Sequence, residues 1–253
     1  SGRIALSMTL TAPDVFLRLT LRSASDTVTV VMQDSYTGIK YIEHNGAPVL
    51  DRRLEQWQNP RETMDWSGES IDTIFDYCTG CDLAELEEFK RVIEVTRAVV
   101  WDGLDHPYGL QVGRTLLEQM QTGFVAGDEF TYIIAHTVAG IDARMNGSPC
   151  PTVGTAGSGS QGHIVGAAPI AAGEYLHAGE EQILRAVALA HLLNLYLDFK
   201  SHEYSHCSPM CYCGSVAPAV GAAAVAYLHG FSRAQITDLM RTVLGTFPGL
   251  LCD

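Results

Sequence analysis

The sequence predicts an α+β fold: a small N-terminal β-sheet segment over residues 1–74, then a mainly helical domain over 75–253. Three observations carry that expectation. The first fifty residues are rich in β-branched residues and hold an Asn-Gly pair between apolar runs. From Leu83 onward apolar residues recur at a spacing of three or four. Gly and Ala dominate residues 214–226, a composition suited to close helix packing. At 253 residues the chain makes one large domain or two small ones. A chain of that size buries about three quarters of its unfolded surface, so neither disulfides nor metal are needed for folding.

Val15 to Leu21 alternates partly, Thr27 to Gln33 is β-branched, and Lys40 to Glu43 leads into Asn45-Gly46. Asn-Gly between apolar runs signals a hairpin, because both central residues of that turn adopt positive φ. Asp51 to Ser70 is polar and reads as a connector. Asp82, with Glu85 three residues on, reads as a capping box ahead of Leu86, Phe89, Val92, Ile93, Val99 and Val100. Arg114 to Gln121 and Phe130 to Gly140 are further helices, the second apolar on most sides and therefore buried. Residues 146–173, with many glycines and three prolines, read as a loop system in which His163 to Ala172 can form a helix. Glu180 to Phe199 has the clearest helical stripe. Val216 to Leu228 and Ala234 to Leu244 are two more helices, with Gly230 closing the first and Ser232 capping the second.

Charge narrows the function classes. Asp and Glu number 29 against 16 Lys and Arg, a formal net charge of -13. Polyanions such as nucleic acid or anionic membrane are poor partners for such a surface. The most apolar stretch, Val216 to Leu228, is shorter than the roughly 20 residues that span a bilayer. No charged-then-apolar leader opens the sequence, so it reads as a cytoplasmic protein.

The run Gly154 to Gly162 (GTAGSGSQG) alternates small residues, so that its backbone N–H groups and hydroxyls can turn toward one point. Such a nest suits a carboxylate or phosphate, more so where it opens a helix. It lacks the Lys of a phosphate-binding P-loop. Its structural alternative is a flexible linker. Arg144, just upstream, can fork onto a carboxylate or pair with Asp142. The seven cysteines are uneven: Cys78 and Cys81 form a C-x-x-C, Cys150 stands alone, and Cys252 is penultimate. Cys207, Cys211 and Cys213 crowd beside His202 and His206. That cluster fits zinc, or, with thiolates alone and Cys252, an iron–sulfur centre.

These motifs resemble a known family. Asp142-Ala143-Arg144-Met145, followed by Ser158-Gly159-Ser160-Gln161-Gly162, resembles the D-A-R-M and G-S-G-N-Q-G runs of iron–sulfur L-cysteine desulfidases, relatives of the alpha chain of bacterial L-serine dehydratases. Met210-Cys211-Tyr212-Cys213, with Val220 to Ala224, is similar to that family's L-C-G-C and G-A-A-A. Gly249 to Asp253 is similar to its G-M-I-C-D. Asp34 to Gly46 resembles a segment reading H-T-N-I, then I-E-x-N-G, with Tyr36 and Gly38 in place of His and Asn.

The resemblance implies a β-eliminating lyase that removes hydrogen sulfide or water from a small amino acid such as L-cysteine or L-serine. It implies a 4Fe-4S cluster on three cysteines, with Cys211, Cys213 and Cys252 as ligands. Cys207, Cys78, Cys81 or a partner chain are other sources of the third thiolate, because the family's early G-C-T-E-P segment is absent here. Ser158, Gly159, Ser160, Gln161, Gly162 and Arg144 would bind the substrate carboxylate. His202, His206, Asp142 and Tyr36 are the acid–base candidates. The alternatives are a cofactor-independent isomerase, cyclase or dehydratase on the same scaffold, and a non-catalytic subunit of a split enzyme. A homo-oligomer or a partner chain carrying the missing segments fits either.

Overall fold

A computed structural model describes residues 5, 7, 16–34, 38–55, 65–204, 211–247 and 249–251. The fold is α+β, as the sequence predicts, and the chain divides into two compact units, residues 1–65 and 66–253.

The first unit is a four-stranded antiparallel meander, β1 (Phe16–Arg22), β2 (Thr27–Gln33), β3 (Ile39–His44) and β4 (Ala47–Asp51), ordered as in the sequence. Leu19 pairs with Val30, Val30 with Ile42, and Ile42 with Leu50, so one sheet face carries a continuous apolar row. The β3–β4 turn is the Asn-Gly hairpin expected, with Asn45 at φ 50° and Gly46 at φ 81°. Asn45 also ties that turn to β2, accepting the Thr27 N–H at 2.7 Å.

The second unit is helical: α1 (Ile71–Gly80), a 3-10 turn (Leu83–Leu86), α2 (Glu87–Asp105), α3 (Val112–Thr122), α4 (Glu129–Met145), α5 (Gly159–Tyr175), α6 (Glu180–Tyr204), α7 (Val216–Leu228) and α8 (Arg233–Thr246). Helix α1 is an addition to the sequence reading. Ser70 caps it through a box with Thr73, and Arg185 of α6 donates to the Cys78 and Cys81 carbonyls at its end. Asp82 caps as expected but bonds Ala84 N in the 3-10 turn, not Glu85 N. Ser232 forms a capping box with Gln235, and Gly230 ends α7 at φ 75°.

Helix α5 begins four residues before the helix that the sequence allows at His163 to Ala172, and so shortens the loop system expected over 146–173. It runs from Gly159 to Tyr175, holds Pro169 in its interior, and packs against α2, α4, α6 and α7. Eleven of its residues are buried, among them Val165, Gly166, Ala167, Ile170, Ala171 and Ala172. Its low intrinsic helix propensity is overridden by burial on all sides, which small residues permit. The core around it contains Leu86, Val187, Leu189, Leu193, Val220, Ile236 and Met240. Among the described residues no helix is long and apolar enough to cross a membrane.

The close packing sets a test. A Cβ on Gly103 of α2 would lie 2.0 Å from the Ala139 carbonyl oxygen of α4, and backbone cannot step aside. Gly103→Ala should lower the unfolding free energy by about 3 kcal/mol in urea titrations. Gly245→Ala in α8, where nothing lies within 4 Å, should raise it by about 0.5–1 kcal/mol.

Candidate functional site

The run Gly154 to Gly162 folds as a tight turn feeding a helix. Thr155 and Ser158 form an antiparallel bridge, exchanging N–H···O bonds of 3.1 and 3.0 Å, with Ala156 at φ 53° and Gly157 at φ 81° between them. Ser158 then caps α5, its hydroxyl accepting the Gln161 N–H at 3.2 Å. The strand leading in lies flat on the helix. A Cβ on Gly162 would meet Val153 O at 2.3 Å, so glycine is required for that contact. What remains is the open end of a 17-residue helix. The Gly159 and Ser160 N–H groups there have no intrahelical acceptor, and the helix dipole favours an anion beside them.

Arg144, from the last turn of α4, lies over that end. It donates to Ser160 Oγ at 2.7 Å, and its Nε and Nη2 stand 2.9 and 3.1 Å from where a Gly159 Cβ would sit. Among the described residues no carboxylate pairs with it. The Asp142–Arg144 pair considered from the sequence is not formed. Asp142 instead accepts the Gly113 N–H at 3.3 Å, capping α3 from 29 residues away. The result is a guanidinium beside a helix N-terminus whose first amides lack an intrahelical acceptor, an arrangement suited to cradle an anion.

The cysteine loop meets this cradle. Cys213 Sγ lies 3.7 Å from Ser158 Oγ. Cys211 is tied at its N–H to Leu250 O at 2.6 Å, and Tyr212 donates to Ser201 Oγ at 2.7 Å. The strand-like contact at Leu250 brings the segment preceding Cys252 onto the 211–214 loop. Cys252 itself, with Tyr36, His206 and Cys207, lies outside the described residues, as does the side chain of His202 at the end of α6. Cys78 and Cys81 are not part of this assembly. They sit by Arg185, sixteen residues or roughly 24 Å of α6 from Ser201. Cys78 is fully buried in the core, and that burial pushes its thiol up to about 12. Among the described residues no three His, Cys, Asp or Glu side chains converge on a metal position. Cys211 and Cys213 are the described thiols suited to a cluster beside the cradle.

Sequence reasoning missed the layer behind the cradle. Thr155 Oγ1 and His191 Nδ1 of α6 are 2.6 Å apart, and Gln161 Nε2 donates to Asn194 Oδ1 at 3.0 Å. His191, Asn194 and Asp198 are all buried and fall at i, i+3 and i+7, a polar line inside the apolar stripe of α6. That interruption of the stripe was the available signal. His163 of α5 fills the space opposite Gly140 of α4, bonding Thr137 O at 2.9 Å. Burial lowers both His163 and His191 to about 4, with Arg144 adding to the effect at His163.

Comparison with known proteins places these features in context. Residues 46–253 match the family described as serine dehydratase alpha chain. A UPF0597 protein of Shewanella sediminis is 29% identical over 255 residues, covering 100% of this chain and 59% of that protein. UPF0597 proteins of Lachnoclostridium phytofermentans and Caldanaerobacter subterraneus are each 32% identical, over 92% and 96% of this chain and 54% and 55% of their own lengths. The chain thus spans a little over half the length of these relatives. No solved structure matches it.

The two buried histidines predict an acid-sensitive fold. Their folded pKa of about 4 is below the unfolded 6.5, so the unfolded chain binds more protons between these values. Their contribution is complete above pH 6.5 and is lost as pH falls toward 4, at up to about 1.4 kcal/mol per unit for each ring. Denaturant titrations across that range should show the slope, and His191→Asn should make it shallower.

Proposed function

The chain belongs to the serine dehydratase alpha chain family, and on that premise we propose that it takes part in β-elimination from a small amino acid such as L-serine or L-cysteine. The observation that carries the proposal is the meeting of two chemistries at one place. The Ser158 hydroxyl that caps α5 touches Cys213 Sγ at 3.7 Å, while Arg144 reaches Ser160 of the same helix end at 2.7 Å.

In this reading the Gly159 and Ser160 amides and the Arg144 guanidinium hold the substrate carboxylate. Fixing that group directs the β-substituent toward the Cys211–Cys213 side of the rim. Cys211, Cys213 and Cys252 would hold a 4Fe-4S cluster, which when bound supplies a Lewis-acidic iron for a departing thiolate or hydroxide. Removal of the α-proton falls to a base among His202 and His206. Asp142 is held at the N-terminus of α3 by the Gly113 N–H, which makes its carboxylate a support for the Arg144 segment. The enamine left by elimination hydrolyses to a keto acid and ammonia. An amino acid fits the anion cradle because its carboxylate is compact and planar, matching a guanidinium fork.

The test is anaerobic purification followed by keto-acid assays with L-serine and L-cysteine. A brown, iron-containing protein that releases keto acid, and loses both properties in Cys211→Ala plus Cys213→Ala, is expected. Undiminished turnover by a colourless, iron-free protein would remove the cluster, and no keto acid from either substrate would remove the elimination. Arg144→Ala should raise KM by about 10- to 100-fold, because a charge-assisted bidentate contact is worth about 1.5–3 kcal/mol. Arg144→Lys should recover only part of that loss.

A further inference from the structure

Two orphaned polar atoms lie directly behind the cradle. His191 is 4% exposed, and with Nδ1 engaged by Thr155 its Nε2 has no protein partner. Thr96 of α2 is 1% exposed, and its Oγ1 has none either. The two atoms face the same spot. A Cβ built on Gly166 of α5 would lie 3.2 Å from Thr96 Oγ1 and 3.3 Å from His191 Nε2. Both atoms therefore flank the same side of Gly166, and neither bonds the other. Leaving a buried donor or acceptor unsatisfied carries the full desolvation cost of that group. Buried polar groups without a protein partner are the kind that hold water, whereas dry cavities are apolar.

We propose that a water molecule is bound inside the helical unit between Thr96 Oγ1, His191 Nε2 and Gly166, and that His191, braced by it, is the positioning residue that fixes the Thr155–Ser158 turn of the cradle. The path is continuous. Thr96 on α2 holds the water, the water holds one edge of the imidazole, and the other edge holds Thr155. Thr155 is bridged to Ser158 by two backbone bonds, and Ser158 starts α5. A side chain at Gly166 would press on both polar atoms. The ring spans α2, α6 and the turn without carrying charge, so it orients the cradle without repelling Arg144.

Two measurements on the full chain decide this. The first is a high-resolution crystal structure of the wild type and of Gly166→Ala. A density peak within hydrogen-bond distance of both Thr96 Oγ1 and His191 Nε2, absent in Gly166→Ala, is expected. An empty contracted space, or a direct Thr96–His191 bond, overturns the water site. The second compares His191→Asn, whose amide replaces the Nδ1 edge, with His191→Gln, whose amide replaces the Nε2 edge. Amide chemical shifts of Ala156, Gly157 and Ser158 should stay near wild type in the Asn variant and move in the Gln variant, at matched melting temperatures. On the carboxylate reading above, L-serine affinity should follow, falling about tenfold for Gln and recovering to within about twofold for Asn. Unmoved turn amides in both variants overturn the positioning role. Moved amides with no L-serine binding even by the wild type would leave that role standing and remove the carboxylate reading.

Discussion

A helix start leaves amide donors that nothing in its own backbone can satisfy, and the arrangement around the first turn of α5 follows from that constraint. The Thr155–Ser158 bridge delivers the chain to the helix at a fixed angle, Ser158 satisfies one donor, and Gly159 and Ser160 keep theirs for an incoming acceptor. Arg144 adds a full positive charge at the place where the helix dipole is already positive. A positive charge there is unfavourable by about 0.3–1 kcal/mol, and a bound anion would relieve it. Among the described side chains no carboxylate does so at Arg144.

The packing of the helical unit serves the same end. Helices α2, α4, α6 and α7 all press on α5, and the small residues at Gly103, Gly162, Gly166 and Gly221 allow backbones to approach closely. A helix gripped on every side cannot shift its first turn relative to Arg144 on α4 or to His191 on α6. Rigid placement of charged and amide donors is what lets a site favour one geometry of a bound acid over another. The cysteine loop joins this frame through Tyr212 and Ser201 and through the Cys211–Leu250 bond, so the thiol side of the rim is anchored to the same helices.

The parts of this account that were legible in the sequence are those written locally. Asn45-Gly46 announces its turn because only certain residues accept positive φ, and Ser232 with Gln235 announces a helix start because the two side chains bond neighbouring amides. The D-A-R-M, G-S-G-S-Q-G and C-Y-C motifs are each visible alone, and the structure brings the last two together at the Ser158–Cys213 contact. What depended on distant partners was hidden. The full extent of α5 was hidden because Gly and Pro disfavour helices, and burial by four neighbours reverses that preference. Asp142 reads as a partner of Arg144 or as an acid–base candidate, and its bond to the Gly113 N–H, 29 residues away, is seen only in the structure. His191 and Asn194 are submerged in an apolar stripe, where polar residues are easily taken for noise. Their significance lies in contacts 36 and 33 residues away.

The central claim is that the end of α5 grips an acid group, and a crystal structure of the chain with L-serine bound tests it most directly. The account predicts carboxylate oxygens within about 3 Å of the Gly159 and Ser160 nitrogens and of the Arg144 guanidinium, with the serine side chain pointing to the Cys213 side of the rim. L-serine bound elsewhere, or turned so that its carboxylate faces the cysteine loop, would contradict it.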